Sequence, residues 1–309
     1  MSKILSFALT LPMQRLVYIL VYPILWIFSI LPFRLLYFSS DVVFVLVYYI
    51  IGYRRKVVKS NLNLVFPEKS EKEIKTITKK FYHHLCDMMF ESIKSLTISE
   101  KELKKRYLIT NVDEIHKLEE QNKSIVIMCA HYGSWEWIFI LQRFVNHKGY
   151  AIYKKLANKY FDKLIRKSRA KYDTNLITTK QSIHRMGAAQ IRGELTMNGF
   201  IADQSPKHYR AKHWQNFMGI KVPVYTGAEM IAKKFDMAVL FFRVKRLKRG
   251  YYTTTFTTVA VHPNEFKDFE ITDKFLEFVE NQIKAEPQYY LWTHKRWKHK
   301  DRVPAEFQD

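Results

Sequence analysis

An uncharged apolar run near the N-terminus constrains this chain more than any other feature. Residues 16–33 read LVYILVYPILWIFSILPF, which is eighteen residues without a formal charge. This length is close to the minimum for a helix that spans the hydrocarbon core of a bilayer. A second apolar run, residues 42–51, follows Asp41. Pro23 and Pro32 are expected to kink the first helix or to break it near its ends.

The residues around these runs indicate a membrane segment that stays in the protein. The first run is too long for a signal peptide, and no small-residue cleavage site of the A-x-A type follows it. By the positive-inside rule, a basic cluster directly after the second run places the downstream chain on the cytoplasmic side. The cluster consists of Arg54, Arg55, Lys56 and Lys59. A transmembrane span and a helix in the membrane interface both fit, and a soluble pair of core helices is the alternative.

The chain as a whole is strongly basic, because 51 lysine and arginine residues outweigh 29 acidic residues and leave a formal net charge of +22. Such a surface implies an anionic partner: nucleic acid, an anionic membrane face, or an acidic carrier or substrate. No RNP, zinc-finger or basic-zipper signature is present, so we expect no nucleic-acid partner. Three basic clusters are expected to face anionic headgroups, lipid phosphates or an acidic carrier: Arg243, Lys245, Arg246, Lys248 and Arg249; Lys295, Arg296, Lys298, His299, Lys300 and Arg302; and Lys207, His208, Arg210, Lys212 and His213.

Cysteine usage argues against covalent or zinc cross-links. The sequence contains only Cys86 and Cys129, and no C-x-x-C spacing. We therefore expect neither a disulfide framework nor a zinc knuckle. This usage is typical of a reducing compartment.

Downstream of the apolar runs, short apolar blocks alternate with helical patterns. Ser70 and Glu73 form a capping box ahead of a long amphipathic helix. The alternation predicts an α/β fold, with a mixed, partly parallel sheet covered by helices and preceded by an N-terminal hydrophobic membrane anchor. We assign residues 1–53 to the anchor and residues 54–309 to one catalytic domain. The predicted strands are residues 124–130, 151–153, 199–202 and 237–244, and the predicted helices are residues 134–146, 158–172, 182–192, 226–235 and 272–285.

The segment CAHYGSWE, residues 129–136, carries the candidate chemistry because it joins a predicted buried strand to a predicted helix. His131 and Glu136 would lie about 140° apart on one continuous helix, so they could not meet there. With His131 in a turn, Gly133 supplying backbone freedom and Ser134 capping the helix, the two side chains can converge. A carboxylate that accepts from one ring nitrogen leaves the other nitrogen as a base. Such a base is needed to activate a hydroxyl as the acceptor of an acyl group.

Other catalytic classes lack their signatures in this sequence. The H-E-x-x-H motif of zinc proteases and the G-x-S-x-G elbow of serine hydrolases are both absent. Ser134 is therefore interpreted as a helix cap and not as a nucleophile. Cys129 could in principle form an acyl-enzyme, but its place at a strand end favours a buried free thiol.

An ordered set of short motifs extends over nearly the whole chain and resembles the late acyltransferases of lipid A biosynthesis, within the lysophospholipid acyltransferase-like group. The set begins after the apolar segment and includes an H-x4-D/E element, formed here by His131 and Glu136. Two arginines, Arg166 and Arg169, precede Asp203 and Gln204. The remaining elements are Arg54-Arg55-Lys56, Asn61-Leu62, Phe66-Pro67, Phe217-Met218-Gly219, Gly227-Ala228 and the closing segment EPQYYLWTHKRWK at residues 286–298.

The resemblance implies an inner-membrane enzyme that moves a fatty acyl group from acyl carrier protein or coenzyme A to a hydroxyl of a lipid A precursor or related lipid. It implies no metal and no bound cofactor. His131 would deprotonate the acceptor, and Glu136 would orient the ring. Arg169 would lie near the oxyanion or an acceptor phosphate, with Arg166 as an equal alternative. Asp203 and Gln204 would shape the same pocket.

Two departures from the family pattern bear on the acceptor and the base. Glu136 replaces an aspartate that the family often carries, and Ser205-Pro206 replaces the usual acidic residue after Asp-Gln. The second departure leaves another glycolipid, an aminolipid or a lysophospholipid open as acceptor. Two alternatives to acyl transfer also remain: a non-enzymatic basic protein attached to the membrane, and a thioesterase or hydrolase that uses the same pair to activate water.

Overall fold

A computed structural model describes residues 10–308. Ten α-helices are found there: α1 Leu11–Ile30, α2 Phe33–Val45, α3 Arg55–Val65, α4 Glu71–Lys94, α5 Glu100–Arg106, α6 Asp113–Glu120, α7 Lys159–Arg169, α8 Thr179–Ile191, α9 Gly227–Phe235 and α10 Glu270–Ala285. Nine strands are found in the same part of the chain: β1 Tyr107–Ile109, β2 Ile125–Cys129, β3 Lys148–Ile152, β4 Asn175–Ile177, β5 Thr196–Ile201, β6 Trp214–Phe217, β7 Ile220–Pro223, β8 Ala238–Lys248 and β9 Tyr251–Ala260.

The two apolar runs form α1 and α2, and α2 continues into a π-helical turn at Leu46–Ile51. Pro23 lies inside α1, whereas Pro32 precedes α2 and marks the break between the helices. Both helical segments, 20 and 19 residues long, are long and apolar enough to cross a membrane. Only 6% and 22% of their apolar windows are buried in the protein. Their outward faces are therefore apolar, which is consistent with membrane association.

One side of α2 packs on α4 through a buried face that includes Leu36 and Ser40. Polar contacts reinforce this packing: Ser40 donates to Asp87 over 2.8 Å, and the Tyr37 hydroxyl donates to Glu91 over 2.8 Å. Both carboxylates lie on α4 and are buried. Buried polar groups need such partners, so the network favours one orientation of α2 on the domain.

The predicted mixed sheet is confirmed. Seven strands follow the order β1-β9-β8-β2-β5-β3-β4. β8, β2, β5, β3 and β4 run parallel, whereas β9 is antiparallel to β8 and parallel to β1. A separate antiparallel hairpin is formed by β6 and β7. β2 is the central strand of the sheet and every residue in it is buried. Its carboxyl end therefore lies in the middle of the edge at which the parallel strands end.

Local predictions were confirmed in several places. Ser70 Oγ accepts from the Glu73 backbone N–H over 3.3 Å, and the Glu73 carboxylate accepts from the Ser70 N–H over 2.8 Å, which completes the capping box of α4. Cys86 and Cys129 are free and buried. The predicted helix at residues 134–146 is instead a 3₁₀ helix, Glu136–Arg143.

The expectation that all three basic clusters face anionic partners was wrong for several arginines. Arg246 and Arg249 donate to the buried Asp87 over 3.0 Å and 2.6 Å. Arg249 also donates to Asp41 of α2 over 2.6 Å. Arg296 is fully buried. These side chains satisfy internal carboxylates and carbonyls, a use of arginine that a run of basic residues does not reveal.

Candidate active site

The strands β2 and β5 position His131 and Asp203, the central pair of the site. β2 and β5 are adjacent and parallel, with Cys129 opposite Ile201. His131 and Asp203 each come two residues after the end of their strand. Because the carboxyl ends of parallel strands meet at the same edge of a sheet, the two side chains converge.

The imidazole of His131 is held by the carboxylate of Asp203. Nδ1 lies 2.7 Å from Asp203 Oδ1. Asp203 is fully buried, whereas the His131 side chain is 21% exposed. Burial opposes the charged ring, but the nearby carboxylate outweighs this and raises the pKa of His131 above its usual value. An Nδ1–H donor to the carboxylate leaves Nε2 as the base.

The backbone of the loop at residues 130–135, which carries His131, requires a glycine at position 133. Gly133 has a positive φ of 59°, and a Cβ at this position would lie 3.0 Å from Val244 Cγ1. The His131 carbonyl accepts from the Leu291 N–H over 3.1 Å, and the Gly133 N–H donates to the Tyr289 carbonyl over 3.0 Å. The predicted backbone freedom at Gly133 is confirmed. Ser134 does not cap the following helix, which Trp135 precedes.

Glu136 makes a different contact from the one expected. Its carboxylate accepts two hydrogen bonds from Arg169 at the end of α7, one from Nε over 2.9 Å and one from Nη2. This bidentate pair is partly buried. The ring contact that the sequence analysis expected of Glu136 is made by Asp203, at Nδ1. The reason is topological: Asp203 is 72 residues from His131 in the sequence, but it follows the strand β5 that lies next to β2 in the sheet.

The remaining predicted site residues divide into two groups. The Gln204 side-chain amide lies 3.4 Å from both ring nitrogens of His131. Of the two arginines on α7, Arg169 reaches the site, whereas Arg166 is exposed. The structure therefore brings His131, Asp203 and Gln204 together and sets the Glu136–Arg169 pair beside them.

Two largely apolar cavities meet at Glu136 and Ser92. The first, of about 130 Å³, is also lined by Met88, Trp135 and Leu291. The second, of about 190 Å³, runs between α1, α4 and α7. Its other walls are Leu25, Ile93, Leu96, Phe161, Leu164, Ile165, Ser168 and Arg169. The helix α1 thus forms part of the wall of a cavity that borders the candidate site.

The sequence matches one known protein family over nearly its whole length. The family model of the bacterial lipid A biosynthesis acyltransferases matches residues 6–299. The chain belongs to this family. It is 22% identical over 296 residues to a lipid A biosynthesis lauroyltransferase of Escherichia coli (strain K12), and this match covers 92% of each chain. It is 19% identical over 281 residues, 89% of each chain, to a lipid A biosynthesis palmitoleoyltransferase of the same organism and to a lipid A biosynthesis acyltransferase of Shigella flexneri.

Membership of the lipid A acyltransferase family makes this chain an acyltransferase. The predicted resemblance is confirmed over nearly the whole length. The names of the two Escherichia coli relatives specify different acyl groups, lauroyl and palmitoleoyl.

A residue that the sequence analysis missed supports the loop that follows β5 and carries Asp203. Arg296 is fully buried, and its Nη1 donates to Ser205 Oγ over 3.0 Å and to the Pro223 carbonyl over 3.1 Å. Ser205 lies two residues after Asp203 and donates back to the Arg296 carbonyl. The closing segment that carried the resemblance therefore braces the loop that presents Asp203. Its position among lysines made Arg296 look like a surface residue.

One group of potential metal ligands occurs in the described part of this acyltransferase. Ligand atoms of Asp41, His83 and Asp87 lie within 4.8 Å of one another. The Arg249 guanidinium donates to both carboxylates, over 2.6 Å in each case. Because Arg249 pairs with both carboxylates and Arg246 also pairs with Asp87, the group forms a structural ion-pair network that joins α2 to α4.

Proposed function

We propose that this chain transfers a fatty acyl group from an acyl thioester, carried by acyl carrier protein or coenzyme A, to a hydroxyl of a lipid A precursor or related glycolipid. Membership of the lipid A acyltransferase family supports the reaction class. The observation that carries the mechanism is the 2.7 Å contact between His131 and the buried Asp203. This contact prepares an imidazole base beside an apolar cavity.

The proposed reaction is a direct transfer. His131 Nε2 takes the proton of the acceptor hydroxyl as its oxygen attacks the thioester carbonyl, and the carbon–oxygen bond forms. Collapse of the tetrahedral intermediate breaks the carbon–sulfur bond, and the imidazolium returns its proton to the leaving thiolate. Asp203 stabilises the imidazolium throughout, and base assistance of this kind contributes about 10²–10⁴ in rate.

The Glu136–Arg169 pair is proposed to act at the edge of the same reaction. Two of the five guanidinium N–H donors are engaged by Glu136. The others remain for the developing oxyanion or an acceptor phosphate, which Arg169 stabilises. The negative charge of Glu136 also favours protonated His131. Glu136 is thus a positioning residue for Arg169, and Gln204 orients the acceptor beside the ring.

The two apolar cavities at Glu136 are proposed to receive the acyl chain. Their walls are mostly aliphatic and aromatic, and each buried methylene contributes about 0.8 kcal/mol. Such a lining also keeps water from the thioester, which favours transfer over hydrolysis. No bound cofactor or metal takes part in this scheme.

The membrane arrangement is likewise a proposal. The exposed apolar faces of α1 and α2 contact the inner membrane, and the basic residues after α2 keep the domain on the cytoplasmic side. Residues 1–53 then act as the anchor and residues 54–309 carry the chemistry. Leu25 of α1 also lines the proposed acyl cavity, so the anchor contributes to the substrate site.

The test is an assay of the full chain in vesicles with an acyl-thioester donor and a phosphorylated glycolipid acceptor. We expect an acylated glycolipid by mass spectrometry and one equivalent of free thiol. His131→Ala should lower this rate by at least about 10²-fold while leaving vesicle binding unchanged. Free fatty acid as the main product would support the hydrolase, and the absence of both products would support a binding protein.

A further inference from the structure

A third cavity, of about 350 Å³, lies on the side of the closing segment (residues 286–298) that α4 and α2 cover. We call it the cationic cavity. It is lined by Lys79, Lys80 and His83 of α4, Arg246 of β8, Phe44 of α2, and the neighbouring pair Gln288 and Tyr289. It shares none of these residues with the two apolar cavities at Glu136.

The charge of the cationic cavity is only partly used inside the protein. Arg246 donates to the buried Asp87, and His83 Nε2 lies 2.8 Å from Asp41. Both acidic groups are further neutralised by Arg249. Lys79 and Lys80 are exposed, and neither forms an ion pair with any residue that the structure describes. Two ammonium groups therefore remain available to a ligand.

The closing segment connects this cavity to the loop at residues 130–135, which carries His131. Tyr289 lines the cavity, and its carbonyl accepts from the Gly133 N–H, two residues after His131. The ring of Tyr289 packs against His84 at 4.8 Å between centroids, and the Arg246 guanidinium lies 5.7 Å from its centre. A ligand bound there would lie beside the loop that carries the base.

The helix α2 sets the other boundary. Phe44 lines the cavity from the buried face of α2, whereas Val45 and Tyr49 next to it expose their side chains on the apolar face. A membrane surface at that apolar face would bring lipid headgroups to the mouth of the cavity. The basic lining and this position select an anionic headgroup.

We propose that the cationic cavity binds a phosphate group carried by a lipid headgroup, with Lys79 and Lys80 as its principal ligands. This inference deepens the proposed function, on which it rests, by giving the acceptor a phosphate and a place to anchor it. Lysine binds phosphate as a mobile point charge. Arg246 supplies a fixed positive charge behind the two lysines. The anchored phosphate holds the headgroup next to the loop that carries His131.

The experiment measures binding of the full chain to three kinds of vesicle, without any acyl donor. One contains phosphatidylcholine alone, one adds phosphatidylglycerol, and one adds a phosphorylated glycolipid at equal surface charge. The test variant is Lys79→Gln with Lys80→Gln. The matched control is Lys72→Gln with Lys75→Gln, because these lysines are also exposed on α4 but do not line the cavity.

The test variant should weaken binding to the glycolipid vesicles about tenfold more than the control variant does, because both variants remove the same bulk charge. An equal selective loss with phosphatidylglycerol would identify the ligand as any lipid phosphate. Equal losses in the test and control variants on both anionic vesicles would overturn the proposal, because bulk charge would then suffice. Since no donor is present, the result is independent of the acyl-transfer assay, whose failure would bear on the proposed reaction alone.

Discussion

The carboxylate of Asp203 lies 2.7 Å from Nδ1 of His131, although 72 residues separate the two in the sequence. Asp203 is fully buried and His131 opens to the candidate site. A buried carboxylate fixes the ring and its tautomer, and it stabilises the positive charge that forms when Nε2 takes a proton. This arrangement assigns separate roles to Asp203 and Glu136.

Replacing the buried carboxylate should change both the rate and its pH dependence. In Asp203→Asn, we expect kcat to fall by about 10²-fold or more, because the imidazolium loses its partner. Asp203 raises the pKa of His131 and burial lowers it, so without the carboxylate this pKa falls. The base must be unprotonated to act, so the acid limb of the kcat/KM profile should move to lower pH. An unmoved limb would mean that another group titrates there.

The Glu136–Arg169 pair should behave as one unit. Glu136→Gln and Arg169→Gln are each expected to lower kcat/KM, because either change destroys the bidentate, charge-assisted pair. The double variant should lose less than the product of the single effects, with a coupling of about 0.5–3 kcal/mol. The measurement is a double-mutant cycle on kcat/KM. Strictly multiplicative effects would show that the two side chains act independently.

The core of the fold could be predicted from the sequence because its strands are short, apolar blocks bounded by turns. The block at residues 124–130 became β2, and the block at residues 237–244 became the start of β8. β9 was missed because its sequence, YYTTTFTTVA, buries only alternate residues and lacks a continuous apolar block. β1 and β4 contain three residues each, too few for a period to be recognised.

The candidate site could be predicted only in part. His131 and Glu136 belong to one local motif, and the placement of His131 in a turn suggested that they would pair. The partner of His131 depends on which strand lies next to β2, and that is a matter of sheet order. The same limit applies to Arg296, whose burial beside the Asp203 loop depends on contacts about 90 residues away in the chain. The local pattern indicated His131 as the candidate base, whereas the sheet topology determines that Asp203 contacts it.

Glu91 should make stability depend on pH. This buried residue accepts from the hydroxyls of Tyr37 and Tyr252 over 2.8 Å and 2.9 Å. Burial raises the pKa of Glu91 from 4.5 to about 7. A raised carboxyl pKa means that the folded state holds the proton more tightly, so the contribution of Glu91 to stability is largest below pH 4.5 and is lost as pH rises through 7. The shift corresponds to roughly 3 kcal/mol.

Glu91→Gln removes this ionisation while keeping a polar side chain for both tyrosines. We expect the variant to melt at a higher temperature than the parent chain at pH 8 and at the same temperature near pH 5. Thermal unfolding followed across this range is the measurement. Glu71→Gln, at an exposed position of the same helix, serves as the control and should show no such gain. A gain of equal size at both pH values would point to packing and not to ionisation.

The wall that α1 contributes to the cavity beside Glu136 should influence the choice of acyl chain. Leu25 lines this cavity together with Ile165 of α7. A tryptophan at either position fills space that the end of a long chain would occupy. Leu25→Trp and Ile165→Trp should therefore shift the preference towards shorter acyl donors, by about fourfold in relative kcat/KM for each excluded methylene. The preference is measured by mass spectrometry of products from a mixture of donors.

Ile24→Trp is the matched control for this change, because Ile24 lies on the exposed face of the same helix and does not line the cavity. It adds the same bulk to α1 without reducing the cavity volume. We therefore expect it to retain the chain preference of the parent enzyme. If all three tryptophan variants keep that preference, the acyl chain lies elsewhere, and α1 serves only to hold the enzyme at the membrane. If Ile24→Trp alone shifts it, the chain is selected at the lipid-facing surface before it enters the protein.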